Sequence, residues 1–214
     1  MSHTFGYLNS LKTIDLSNIY AENLIRMSAT FYGSNSLTFI NLTNFNAPEL
    51  WEMIHTFREC TSLTSIDFTN FRAPKLMTLQ NAFYKSSSLK SVNLSSVESD
   101  AFGVFNDMFY DCHSIEYIYL PKITIKKDVN LFRTFTNCYS LKSIDLSNYI
   151  LDYGSSRVFE GCTNLSYIDI SSFDSASSDL FKDLPKTGEI KLNKKAYNDI
   201  KDLIPEDWTI ILIK

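Results

Sequence analysis

The chain has 214 residues and a net charge of −4 from 20 basic and 24 acidic side chains. With no basic surplus to neutralise a phosphate backbone, nucleic acid is excluded as an expected partner. Hydrophobic residues make up 44% and charged ones 21%, a balance that buries a core and excludes a free-standing disordered segment. Glycine is scarce, at 6 residues where average usage gives about 15; few turns are therefore expected to need a positive φ, and a glycine-rich phosphate loop has almost no material.

One unit recurs along the chain. The segment from Asn9 to Asn18 returns at Asn35, Thr61, Ser87, His113, Tyr139 and Thr163, with Leu11, Leu37, Leu63, Leu89, Ile115, Leu141 and Leu165 as its marker residue. The markers are spaced by 26 residues five times and then by 24, and a weaker copy sits at Ile190. Six residues before each marker stands a phenylalanine: Phe5, Phe31, Phe57, Phe83, Phe109, Phe135 and Phe159. Positions +3 (Ile14, Ile40, Ile66, Val92, Ile118, Ile144, Ile168) and +5 (Leu16, Leu42, Phe68, Leu94, Leu120, Leu146, Ile170) are apolar around a mostly polar +4. This is the period of a short strand with one buried face. Such a strand cannot bury its face alone, so the copies are expected to stack in parallel, one coil on the next, with the phenylalanines superposed.

The stretch from −13 to −6, for example Leu50 to Phe57, has apolar residues at i, i+3, i+4 and i+7. That spacing predicts a short helical turn on the opposite wall, with a second short strand followed by one turn as the alternative. Beyond Leu184 the pattern breaks: Pro185 precedes an expected strand at 189–192, a helix at 195–203 and a last strand at 208–213. The expected organisation is thus a solenoid over 1–184 and a carboxyl-terminal capping segment of the same domain over 185–214. The amino end has no counterpart, since Phe5 and Leu11 already occupy mid-repeat positions, and further repeats are expected to precede the chain in its parent protein. No apolar run is long enough to cross a membrane and Met1 to Asn9 lacks a secretion signal, so direct membrane insertion is not expected.

The unit Phe-x-x-Cys-x-Ser-Leu-x-x-Ile-Asp-Leu-Ser-Asn-Phe, read with two substitutions (Phe68 for Leu, Thr69 for Ser) at Phe57 to Phe71, resembles the BspA-like leucine-rich repeats. It is closer still to the variant repeated in mycoplasma-type surface lipoproteins, where a methionine stands four residues before the phenylalanine, as Met27 and Met53 do here. A tail of the form Pro-x-x-Trp, at Pro205 to Trp208, also fits that group. The resemblance implies an α/β solenoid: a right-handed leucine-rich repeat array of about 7 coils with one parallel strand each. It also implies a cell-surface or secreted setting and adhesion to proteins or cells. The copy at Ile115 departs from the pattern with Tyr119-Leu-Pro121, and the unit is 26 residues rather than the usual 23 to 25.

Cys60, Cys112, Cys138 and Cys162 all lie at −3, where other copies have Leu8, Ser34 and Ser86. A column that tolerates leucine and serine is a small buried site, so these are read as structural thiols rather than disulfides or metal ligands. Position +4 reads Asp15, Asn41, Asp67, Asn93, Tyr119, Asp145 and Asp169, and is read as an outward, hydrogen-bonding ladder. Within it Asp145 and Asp169 are the only acids on adjacent coils and the one weak cation candidate. Position +2 reads Thr13, Phe39, Ser65, Ser91, Tyr117, Ser143 and Tyr167. Exposed aromatics on a strand face are not needed for packing, so Tyr117, Tyr119 and Tyr167, with Tyr139 nearby, form the best candidate binding patch. Phe39, Asp67, Asp145 and Asp169 complete the candidate surface. The histidines His3, His55 and His113 fall at unrelated repeat positions, and no serine sits in a glycine-flanked elbow, so no catalytic cluster, metal site or cofactor is expected.

The expectation is a non-catalytic module that binds a protein or glycoprotein through its strand face, within a larger cell-surface protein. The alternatives are a stalk carrying another domain, or an intracellular scaffold or secreted effector in the cytoplasm of a cell.

Overall fold

The computed structural model describes residues 4–99, 101–123, 128–151, 154–173 and 177–213. Its strands, in chain order, are β1 (Thr13–Asp15), β2 (Phe39–Asn41), β3 (Ser65–Asp67), β4 (Ser91–Asn93), β5 (Tyr117–Tyr119), β6 (Asp128–Val129), β7 (Ser143–Asp145), β8 (Ile150–Leu151), β9 (Tyr167–Asp169), β10 (Thr187–Asn193) and β11 (Asp207–Ile213). One helix, α1 (Lys194–Ile200), continues into a single 3-10 turn at Lys201–Leu203. The repeat strands pair in parallel at the register of the sequence copies: Ile14 with Ile40, Ile40 with Ile66, Val92 with Ile118, and Ile144 with Ile168. A parallel solenoid of stacked coils follows.

The core is a set of columns. Along the solenoid the −6 phenylalanines stack as seven nearly parallel rings, from Phe5 to Phe159, with centroids 5.1 to 6.0 Å apart and no adjacent pair tilted beyond 12°. The +3 and marker columns bury the strand face against them; Ile40, Leu63, Leu89 and Leu141 are fully enclosed. The −3 column does more than fill space. The thiols of Cys60, Cys112, Cys138 and Cys162 donate to the carbonyls of Phe31, Phe83, Phe109 and Phe135 at 2.9 to 3.2 Å. Ser34 and Ser86 make the same bond to Phe5 and Phe57. Serine and cysteine alternate because either hydroxyl or thiol satisfies a buried carbonyl that would otherwise cost free energy. All four cysteines are free and buried.

The opposite wall corrects two expectations. It carries no helix among the described residues: isolated parallel bridges link Arg26 with Glu52, Glu52 with Thr78, Thr78 with Val104 and Val104 with Asn130. Beyond them each coil folds into two successive four-residue turns, closed in the second coil by Thr30 N–H to Met27 O and Ser34 N–H to Phe31 O. The third residue of each turn is left-handed, and it recurs in every coil. At −8 it is Ala29, His55, Asn81, Asp107, Arg133 and Arg157; at −4 it is Tyr7, Gly33, Glu59, Lys85, Asp111, Asn137 and Gly161. The glycine shortage therefore does not signal few positive φ angles, since 15 described non-glycine residues adopt them. From Tyr7 to Asn137 those at −8 and −4 are each held by a backbone bond to the following coil, as Ala29 N–H to Ile54 O at 2.8 Å and Gly33 N–H to Arg58 O at 2.9 Å, so registry between coils over-determines a conformation that L-residues resist.

At the carboxyl end β10 extends the sheet, placing Ile190 on Ile168, and β11 pairs along its whole length with β10. Asn193 caps α1 by accepting from Ala196 N–H, and the Trp208 indole donates to Pro185 O at 2.9 Å. Trp208 and Ile200 are buried beneath this cap, while Ile210, Ile211 and Leu212 remain exposed on the edge strand.

Candidate binding surface on the strand face

The +4 column is built by turn chemistry. Oδ1 of Asp15, Asn41, Asp67, Asn93, Asp145 and Asp169 each accepts the backbone N–H two residues on, at 2.8 to 3.0 Å. These are Asx turns that swing the chain off the strand; the Ser17 amide and hydroxyl lower the pKa of Asp15, and the Thr69 hydroxyl and amide lower that of Asp67. Three residues on, Asn18, Asn44 and Asn70 are left-handed and run a side-chain ladder, Nδ2 of Asn44 to Oδ1 of Asn18 at 2.8 Å and Nδ2 of Asn70 to Oδ1 of Asn44 at 2.9 Å.

Asp169 departs from the outward reading of that column, being only 4% exposed. Its Oδ2 accepts from Lys191 Nζ on the neighbouring β10 at 2.8 Å. Burial alone would raise its pKa, but the Lys191 ammonium and the Ser171 donors hold it below the ordinary value. The carboxylate that was to share a cation with Asp145 is thus already neutralised by a lysine, and among the described residues no group of three or more His, Cys, Asp or Glu is placed to hold a metal ion. His3 lies outside the described residues; His113 stacks on Tyr139 with centroids 4.9 Å apart.

The tyrosines do gather. Tyr117, Ser143 and Tyr167 are register partners on β5, β7 and β9, so the two rings flank one serine across about 10 Å of sheet. Tyr117 is 42% and Tyr119 56% exposed, and Tyr139 is exposed at the side of the same coils. Lys142, which sequence reasoning did not single out, reaches over the Tyr117 ring at 5.1 Å and pairs with Glu116. A shallow cleft of about 180 Å³ lies beside Tyr119, between Pro121, Asp145 and Asn148. Phe39 and Asp67 stand apart, on β2 and β3, beside a separate opening.

A second aromatic row, also missed, runs along the side wall. Arg58 lies between the Tyr32 and Tyr84 rings at 5.8 and 4.3 Å, Tyr84 stacks on Tyr110 at 4.9 Å, and Arg133 covers Tyr110 at 5.1 Å. Its ring faces are taken by one another and by arginine, whereas Tyr119 turns outward, so the strand face leaves more ring surface open.

Residues 1–122 match the family described as Mycoplasma protein of unknown function, DUF285, and residues 104–204 match the BspA type leucine rich repeat region in six copies. No curated protein matches the chain. Among solved structures, the chain is similar to one in the mouse RP105/MD-1 complex, at 17% identity and a TM-score of 0.48 over 95% of this chain and 42% of that one. It is also similar to an internalin from Listeria monocytogenes, at 10% identity and a TM-score of 0.40 over 85% of this chain and 64% of that one. With its coils, columns and corners in place and the two matches together covering most of them, the chain belongs to the family of the Mycoplasma protein of unknown function, DUF285, and to the BspA-type leucine-rich repeat proteins.

Proposed function

We propose that the chain is a non-catalytic module that engages a protein ligand through its strand face, as part of a cell-surface, adhesin-like protein. The observation that carries this reading is the cluster of Tyr117, Tyr119 and Tyr167 on consecutive coils, where Tyr117 and Tyr119 are exposed and Tyr167 is half-buried. None of the three fills the core, yet each offers a broad ring with a polar tip, a side chain enriched where partners dock. Repeat solenoids use such continuous faces rather than pockets, and proteins of this repeat type are typically interaction modules and surface proteins. No helix of the described residues is long and apolar enough to cross a membrane. The test is triple replacement, Y117S/Y119S/Y167S, with binding to intact host cells read by flow cytometry and folding by circular dichroism. Binding of the parent chain that falls at least about tenfold in a folded variant supports the reading, since hot-spot tyrosines carry about 2 kcal/mol each; undiminished binding rejects the patch.

A further inference from the structure

The sheet is interrupted between β3 and β4: β1, β2 and β3 form one sheet, and β4 begins another. In the coils before the break the +5 and +7 N–H groups donate to the next coil, as Leu42 to Asp67 O and Asn44 to Thr69 O, both at 2.8 Å. For Phe68 and Asn70 no bond of this kind is formed to the fourth coil. The bridge column of the neighbouring corner, Tyr20 to Asn46 to Arg72, stops at the same seam and resumes with Glu98 and Lys122. On the opposite wall the third and fourth coils stay joined through Thr78 and Val104. The seam is therefore open on one side and closed on the other.

Two residues open it. Phe68 stands in the +5 column where all other copies have leucine or isoleucine. Its ring wedges edge-on against Phe57, Phe71 and Phe83, with centroids 5.4 to 6.5 Å away. Ser96 stands where the earlier coils have the left-handed asparagine, so the amide ladder ends at Asn70, and Ser96 Oγ donates instead to Phe68 O at 2.8 Å.

The resulting cleft, about 360 Å³, is lined by Phe39, Ser65, Asp67, Asn70 and Asn93. Asp67, whose carboxylate accepts from Thr69 with Thr43 beside it, still faces the cleft as an acceptor; Asn93 commits Oδ1 to Ser95 and presents its amide N–H groups. The released backbone N–H groups of Phe68 and Asn70 add donors. Phe39, 37% exposed, supplies a flat apolar wall on the β2 side. An anion meets the Asp67 carboxylate, and a metal finds only one. Lys90 N–H still bonds Thr64 O at 3.2 Å, so the strands are tied at their starts and no extended peptide fits between them. A compact neutral molecule that both donates and accepts, with one C–H face, satisfies the whole lining. We propose that the seam between the third and fourth coils is a binding site for a neutral hexose unit, its hydroxyls held by Asp67 and Asn93 and its ring laid on Phe39.

This site is separate from the tyrosine patch and is read without a protein partner. The experiment is saturation-transfer NMR on the full chain with the methyl glycosides of glucose, galactose, mannose and N-acetylglucosamine at millimolar concentration. At least one sugar is expected to give transfer. Affinity is expected to fall at least about tenfold in D67N, a substitution whose turn the column already accepts at Asn41 and Asn93. It is expected to fall likewise in F68L/S96N, which restores the residues of a closed corner. Absence of transfer from all four sugars overturns the proposal, as does transfer undiminished in D67N, whether or not the double variant folds.

Discussion

Replacing Phe83 by alanine tests whether the phenylalanine column holds the coils together. Phe83 is fully buried at the centre of the stack, with Phe57 and Phe109 above and below at 5.2 and 5.1 Å and Phe68 edge-on at 6.5 Å. A buried phenylalanine removes on the order of 200 Å² from water. At about 25 cal/mol per Å², and with the alanine methyl retained, the transfer loss is about 4 kcal/mol. Two lost ring stacks add about 0.5 to 1.5 kcal/mol each before the neighbours relax. The sum, about 5 to 7 kcal/mol unrelaxed, falls to about 5 kcal/mol as the neighbours close in, the upper end for such truncations and a large share of the roughly 5 to 15 kcal/mol that stabilises a domain. Phe5 supplies the control, because it is only partly buried and stacks on one neighbour, Phe31, at 5.5 Å; its truncation is expected to cost about 2 kcal/mol. Urea unfolding followed by far-ultraviolet circular dichroism gives both values. Equal costs at Phe5 and Phe83, or a cost below about 2 kcal/mol at Phe83, refute the column as the source of cohesion.

Four further outcomes follow from the corners and columns. Cys112→Ser is expected to change stability by less than about 1 kcal/mol, because Ser34 and Ser86 already make its bond. In the folded chain the thiols are expected to resist a disulfide reagent, since burial pushes Cys60 up to about 12 and the other three up as well; fast labelling without denaturant contradicts this. Lys85→Gly is expected to stabilise by about 0.5 kcal/mol and Lys85→Val to destabilise by at least about 1 kcal/mol, because Lys85 is left-handed with φ of 59°; equal urea midpoints contradict the assignment. Asp169 has a lowered folded pKa, so its stabilisation is present above the unfolded value near 4 and is lost as pH falls through the folded value. Asp169→Asn should therefore lower the melting temperature at pH 7, and the difference from the parent chain should close in acid; a constant difference contradicts the Lys191 pairing.

The columns were legible because burial writes directly into sequence. Phe5 to Phe159, the +3 isoleucines and the cap elements occupy the places their spacing implied. The opposite wall misled for a definite reason. Leu50, Met53 and Phe57 are buried at intervals of three and four, a spacing that a helix shares with two successive four-residue turns, and Ile54, the residue that would complete a helical stripe, is only half-buried. The left-handed positions were illegible because nothing in the side chains at −8 and −4 demands them; Ala29, His55 and Arg133 adopt positive φ since the next coil's carbonyls dictate it. Asp169 looked like its column neighbours until the cap placed Lys191 on it. The patch of eight candidate residues likewise resolved into two places, because one-dimensional addresses give the coil and the face but not the openings between coils.

Those openings have a common origin. A perfectly repeated coil closes every seam alike and presents a surface on which no position differs from the one a coil away, which suits a stalk better than a receptor. Where the copies depart from one another, the closure fails. Phe68 and Ser96 part β3 from β4. Tyr119 and Pro121, where other coils have Asp or Asn and then Ser or Thr, leave β5 paired with β7 only at Tyr117 and Ser143, beside the second cleft. Both openings face the same side of the solenoid, both border the candidate aromatics, and the opposite wall stays zipped across the first of them. A chain selected only for length has no need to confine its defects to one wall. This placement agrees with the proposed recognition role, and it ties the proposed binding surface to departures from the repeat rather than to the repeat itself.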